Sequence, residues 1–225
     1  MTCLLWLPNL VDAQHKDHDR STDHMKDIDA FIKAYYTQTE ELFLEFDAKE
    51  YGLTKENYWE KVLRPSDITA ADFKPIEDML GLTLPASFKL FYQSYFSLEK
   101  DFDTGGLFIA GNTENSDLAA LKDYFFNTGI STEMTDLGLI PFGLYNDEWY
   151  VCLDMNSNPK NPQIVFFEGS NWGAGKAAIS HRPWFSDFAS LLRCIADYQL
   201  NGHWDNFDEL DPGNNYLTAY DYWKN

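Results

Sequence analysis

The sequence predicts an α+β domain with N-terminal helices, a central antiparallel sheet of about four to six strands, and a closing C-terminal helix. Three observations carry this expectation. Apolar residues recur at helical spacing before Ser97, and from Thr104 onward glycines, prolines and turn residues separate short runs of β-branched and aromatic side chains. A last helical stripe follows Pro183.

In the first element Phe31, Ile32, Tyr35, Thr39, Leu42, Phe43 and Phe46 follow Ile28 at three-and-four spacing, with Asp27 placed to cap the helix and Gly52 to stop it. Residues 54–63 predict a short second helix, capped by Thr54 and closed at Arg64-Pro65, because the residue before a proline is pushed out of the helical region. Thr69 caps "AADFKPIEDML", which sets Phe73, Ile76, Met79 and Leu80 on one side, tolerates Pro75 near its first turn, and ends before Gly81. "LPASFKLFYQSYFS" starts a helix near Pro85 with Phe88, Phe91, Tyr92, Tyr95 and Phe96 on one stripe.

The character then changes. "TGGLFIAG" (104–111) reads as a glycine-entered strand, and "SDLAALKDYFFN" as a short helix capped by Ser116. Two apolar runs flank Asn146-Asp147-Glu148 as a hairpin, and "QIVFFEG" follows a turn rich in Pro and Asn at 156–162. Beyond Pro183, Phe185, Phe188, Leu192, Ile195 and Gln199, joined by Leu191, mark the face of a helix that Gly202 ends. The chain divides into residues 1–24, a flexible leader or a mis-assigned start with Met25 the true one; 25–66, a helical extension; 67–202, the main domain; and 203–225, an acidic, aromatic tail.

Composition narrows the function. With 225 residues and 44% hydrophobic content the chain can bury a real core. Its 17 basic and 36 acidic residues give a net charge of −19, spread along the sequence. Direct nucleic-acid binding needs clustered Lys or Arg and is disfavoured, whereas a basic protein partner suits the field. The three cysteines, Cys3, Cys152 and Cys194, show neither C-x-x-C spacing nor an even count, which fits a reducing compartment and a cytoplasmic location. "MTCLLWLPNLVDAQ" lacks the basic start of a signal peptide and breaks its short apolar run with Pro8 and Asn9. No stretch approaches the ~18 apolar residues that span a bilayer.

The candidate chemistry is thin. His15, Asp17, His18, Asp19, Asp23 and His24 are metal-ligand types without packing residues to hold them. "WGAGKAA" has Gly175-Lys176 but places Ser170 and Ala177 where a phosphate loop needs Gly and Ser/Thr. No G-x-S-x-G, H-E-x-x-H or deaminase signature occurs. Cys152 and His181 could form a nucleophile and base, but alternation along "EWYVCLD" puts Cys152 in a strand, as a small packed residue. Carboxylate pairs such as Asp147 with Glu148, or Asp154 with Glu168, are expected anywhere in so acidic a chain. The aromatic surplus, Trp149, Trp172, Trp184, Trp204 and Trp223 among it, offers interface anchors wherever it is exposed.

From about residue 69 to 202 the order of features resembles the SUKH superfamily, which includes bacterial immunity proteins and fungal cell-wall assembly regulators. The likeness rests on "IEDMLGLTLPASFKLFYQSYFS", "GGLFIAG", "LIPFGLYNDEWYVCLDM" and "WFSDFASLL", in that order. It departs from the superfamily at Asn146-Asp147-Glu148, where a Gly-Asp-type loop is common, and in the glycine-rich insert 169–175. The resemblance implies a binding protein without catalytic activity, cofactor or metal. In bacteria such a protein is most often an immunity protein that neutralises a cognate toxin, here one of basic charge such as a nuclease. The alternative it implies is a regulatory or scaffold module acting on the cell's own proteins. Asp147, Glu148, Trp149, Glu168, Trp172 and Trp184 are the expected partner contacts, since they fall at a hairpin turn, a strand end, a glycine loop and a helix entry.

Overall fold

The computed structural model describes residues 10–113, 118–127, 131–146, 149–168 and 184–200, with the side chains of 10–23, 127, 131, 198 and 199 excepted. Helix α1 (Leu10–Leu42) passes through a π-helical turn (Phe43–Asp47) into α2 (Ala48–Tyr51), and stops where Gly52 takes φ +62°. The helix therefore begins well before Asp27, which is not its cap. That carboxylate instead accepts from Arg193 Nε at 3.0 Å and Nη2 at 2.7 Å, a forked pair between α1 and the last helix.

After Gly52, Thr54 and Asn57 exchange hydrogen bonds (Thr54 N to Asn57 Oδ1, 2.7 Å; Asn57 N to Thr54 Oγ1, 3.3 Å) ahead of α3 (Tyr58–Val62). Thr69, the expected cap, forms a capping box with Asp72 at a 3₁₀ turn (Ala70–Phe73) that runs into α4 (Lys74–Leu80). Helix α5 (Ala86–Ser94) ends earlier than its apolar stripe. Tyr95 is extended and bridges Pro65, Phe96 N donates to the Arg64 carbonyl at 3.0 Å, and so Tyr95 and Phe96 leave the helix face.

Five strands follow as an antiparallel meander: β1 (Asp101–Asp103), β2 (Leu107–Ala110), β3 (Leu139–Tyr145), β4 (Trp149–Asp154) and β5 (Gln163–Glu168). Between β2 and β3 lie α6 (Ala119–Lys122), a π-helical turn (Asp123–Asn127) and α7 (Ser131–Asp136). The proposed cap Ser116 lies outside the described residues, as do Pro183 and Gly202. The closing helix α8 (Phe188–Cys194) starts at Asp187, whose carboxylate accepts from Ser190 N at 2.8 Å, and continues into a π-helical turn (Ile195–Gln199). Phe185 precedes that helix and is bonded to Ile164 of β5.

Alternation along the strands sends two sets of side chains to opposite faces. The front set, with Ile140, Phe142, Val151, Leu153, Ile164 and Phe166, packs under α1, α5 and α8. Rings of Phe88, Phe91, Phe142 and Phe188 meet edge to face there, and Phe31 of α1 contacts Phe91 and Phe102. Behind the sheet, Met134 of α7 seals a smaller cluster of Leu139, Cys152, Val165 and Phe167. Residues 25–66 share the front core: Tyr58 Oη donates to the Tyr36 carbonyl, Leu98 N donates to Tyr36 Oη, and Tyr95 Oη donates to Asp29.

The "IPFG" segment explains itself locally. The β3–β4 register shifts between Pro141 and Gly143: Phe142 is the extra residue of a bulge, on the front face with Ile140 by ordinary alternation, and the bulge resets the phase after it so that Tyr145 also reaches the front core. Proline suits the interrupted ladder because it has no N–H to leave unpaired. A Cβ on Gly143 would stand 2.2 Å from the Phe108 carbonyl oxygen, so β2 can lie against β3 only if this residue is glycine.

Candidate protein-binding surface

The hairpins β1–β2 and β3–β4 turn at the same end of the sheet. Asn146 takes φ +49°, a left-handed conformation that Asn tolerates, and its N–H donates to the Gly106 carbonyl at 2.8 Å. In the neighbouring turn Asp103 Oδ1 accepts from Gly105 N (3.1 Å) and Gly106 N (3.3 Å), while Thr104 bonds the Leu107 carbonyl through both its N–H and its hydroxyl. A Cβ on Gly106 would meet Asn146 Oδ1 at 2.5 Å. The paired glycines thus let two turns pack side by side, giving this end of the sheet a fixed outline.

Of the six residues expected at a partner contact, Trp149 and Glu168 come together. They face each other across β4 and β5, with Tyr145 opposite Trp149 on the other side, and both are half-buried. Trp184 lies close by but is a core side chain, 2% exposed, its ring against Phe166 and Tyr145. Backbone bonding explains the correction: Trp184 N donates to the Ile164 carbonyl at 2.8 Å and Ile164 N to the Phe185 carbonyl at 3.0 Å, which fastens the segment along β5 and turns the indole inward. Asp147, Glu148 and Trp172 lie outside the described residues.

Two features escape sequence reasoning. Asp103 belongs to β1, whose three residues "DFD" are too polar and too short to read as a strand. On the back of the sheet, Phe108, Leu144 and Tyr150 stand in one cross-strand row and are half-buried. Alternation marks Phe108 as opposite to Leu107 and Ile109, but the row emerges only when register is known.

Negative charge concentrates along β1. Burial pushes the Glu99 carboxyl above its usual range; the Tyr35 hydroxyl, donating at 3.3 Å, offsets part of this, and Asp47, Asp103 and Asp101 add to the rise. Asp101 is pushed up too, by burial first, with Lys100 opposing. Such a field attracts cationic groups and repels phosphate. A nucleophile is not offered by Cys152, which is fully buried with its thiol raised by desolvation and by Asp154, and which lies 3.9 Å from the Met134 sulfur. Its proposed base His181 is outside the described residues. Asp154 closes β4, accepting from Asn156 N at 3.0 Å. Among the described residues no group of three or more His, Cys, Asp or Glu could hold a metal ion, and no helix is long and apolar enough to cross a membrane.

Residues 67–210, more than half of the chain, match the SMI1 / KNR4 family (SUKH-1). No curated protein and no solved structure matches the chain.

Proposed function

Because the chain belongs to the SMI1 / KNR4 family (SUKH-1), we propose that it is a non-enzymatic binding protein that captures and neutralises a cognate bacterial toxin of basic charge. The observation that carries this reading is the end of the sheet where Asp103, Trp149 and Glu168 stand on hydrogen-bonded strands beside two interlocked turns. A half-buried aromatic facing a carboxylate across paired strands is the composition of an interface anchor. The connection Asp147-Glu148 adds two further acids in sequence immediately before Trp149.

Physically, the acidic surface speeds encounter with a basic protein and discourages wrong partners. Trp149 then supplies the apolar contact and Glu168 a charged one. Inhibition needs no chemistry from the bound protein, since covering the toxin's active site or its approach suffices. The reading predicts a reducing, cytoplasmic site of action, where an unpaired buried thiol such as Cys152 persists.

The test is growth. Cells producing the toxin encoded beside this gene survive when the full chain is co-expressed, and survival falls when Trp149→Ala and Glu168→Lys are combined. Absence of protection by the wild-type chain at comparable expression contradicts the reading. Capture of a host protein instead of a toxin turns it toward the regulatory alternative.

A further inference from the structure

Helix α1 breaks its own pattern. In unbroken α-helical register Leu42 and Phe46 belong to the inward stripe of Ile32, Tyr35, Tyr36 and Phe43, and the sequence places them there. Instead they are 56% and 70% exposed, respectively, the latter the most exposed of the large apolar side chains on the described surface. Leu42 is the last residue before the π-helical turn Phe43–Asp47, and the turn accounts for Phe46 alone by rotating the residues within and after it, because each of its turns takes up an extra residue relative to an α-helix. Phe43 stays buried against Tyr36 and Tyr51, while Phe46 swings outward.

The surroundings of this ridge are acidic. Glu41 and Glu45 run beside Leu42 and Phe46 with the same spacing and are exposed, Glu50 is exposed, and Glu40 and Asp47 are half-buried. Lys49 is the one base between Thr39 and Glu50. Asp47 also bears on Glu99, which joins this patch to the acidic edge of β1.

We propose that the Leu42–Phe46 ridge is a second docking surface, built to receive a cationic amphipathic segment of a protein partner. The segment carries apolar side chains one helical turn apart, which cover Leu42 and Phe46, and Lys or Arg beside them to meet Glu41, Glu45 and Glu50. Charge selects this occupant over the others. A second copy brings the same acidic ridge and repels it. The chain's own residues 201–225 carry Asp205, Asp208, Glu209, Asp211 and Asp221 against Lys224, so they bring the same sign. An anionic membrane is repelled for the same reason. The ridge precedes residues 67–210, so this surface does not depend on the toxin-binding role proposed for the sheet end.

The test titrates the full chain with a short synthetic peptide of Leu at every fourth position and Lys between, and with a scrambled peptide of the same composition, at physiological salt. The ordered peptide binds at least about tenfold tighter than the scrambled one, and the double variant Leu42→Ser/Phe46→Ser removes that difference. Glu41→Gln/Glu45→Gln weakens the ordered peptide while leaving the thermal melt unchanged, which keeps the charge contribution readable even if the apolar variant alters folding. Equal binding of the two peptides, or full binding by both variants, overturns the proposal. So does concentration-dependent dimerisation that Leu42→Ser/Phe46→Ser abolishes, or a gain in peptide affinity on removing residues 201–225, since either outcome names a different occupant.

Discussion

At Gly143 a missing side chain decides the geometry of the sheet. A methyl group there runs into the Phe108 carbonyl at 2.2 Å, and backbone cannot yield as a flexible side chain can. Gly143→Ala therefore costs about 1–3 kcal/mol, read as a lower midpoint in urea, because β2 must withdraw from β3. Glu99 gives the opposite sign. A carboxyl whose value is raised by folding binds protons more readily in the native state, so its ionisation works against folding as pH rises past the unfolded value. Glu99→Gln keeps an acceptor for the Tyr35 hydroxyl and removes the repulsion from Asp47, Asp103 and Asp101. The variant melts at a higher temperature than wild type at pH 7, and the gap closes as pH falls below the ordinary Glu range near 4.5. Single residues were unequally legible in sequence. Cys152 as a packed strand residue followed from alternation. Trp184 did not, because nothing local says that its backbone is bonded to β5.

Between elements, α1 does more than extend the domain. Ile28, Phe31, Ile32, Tyr35 and Tyr36 are each at most 2% exposed and lie in the same cluster as the front of the sheet. Burying side chains of this size contributes roughly 1.5–3 kcal/mol each, so their sum is comparable to the whole stability of an ordinary domain. A chain lacking residues 1–66 thus loses its cooperative thermal transition and exposes Phe91 and Phe102, which dye binding detects. Helical periodicity revealed α1, α4, α5 and α8, and turn residues the hairpin. What periodicity could not supply was the π-helical turn, which has no residue signature, or the end of α5, which is set by residues 64–66 from elsewhere in the chain.

Across the whole molecule, the net charge of −19 and the interlocked sheet end point the same way. A field of one sign brings a basic partner in quickly, and a few anchored side chains hold it. The fold class and the family were readable because they rest on an ordered series of patterned segments. The surface was only partly readable, because which aromatics face outward depends on register and on the Phe142 bulge. Toxin capture at the sheet end is measured by titrating the purified toxin domain into the full chain, wild type and Trp149→Ala/Glu168→Lys, with thermal melts to show that both are folded. Wild type forms a one-to-one complex, weakened at least about thirtyfold in the variant, equivalent to a hot-spot loss of ~2 kcal/mol. No measurable complex with wild type, or equal affinity for the two proteins, would contradict it.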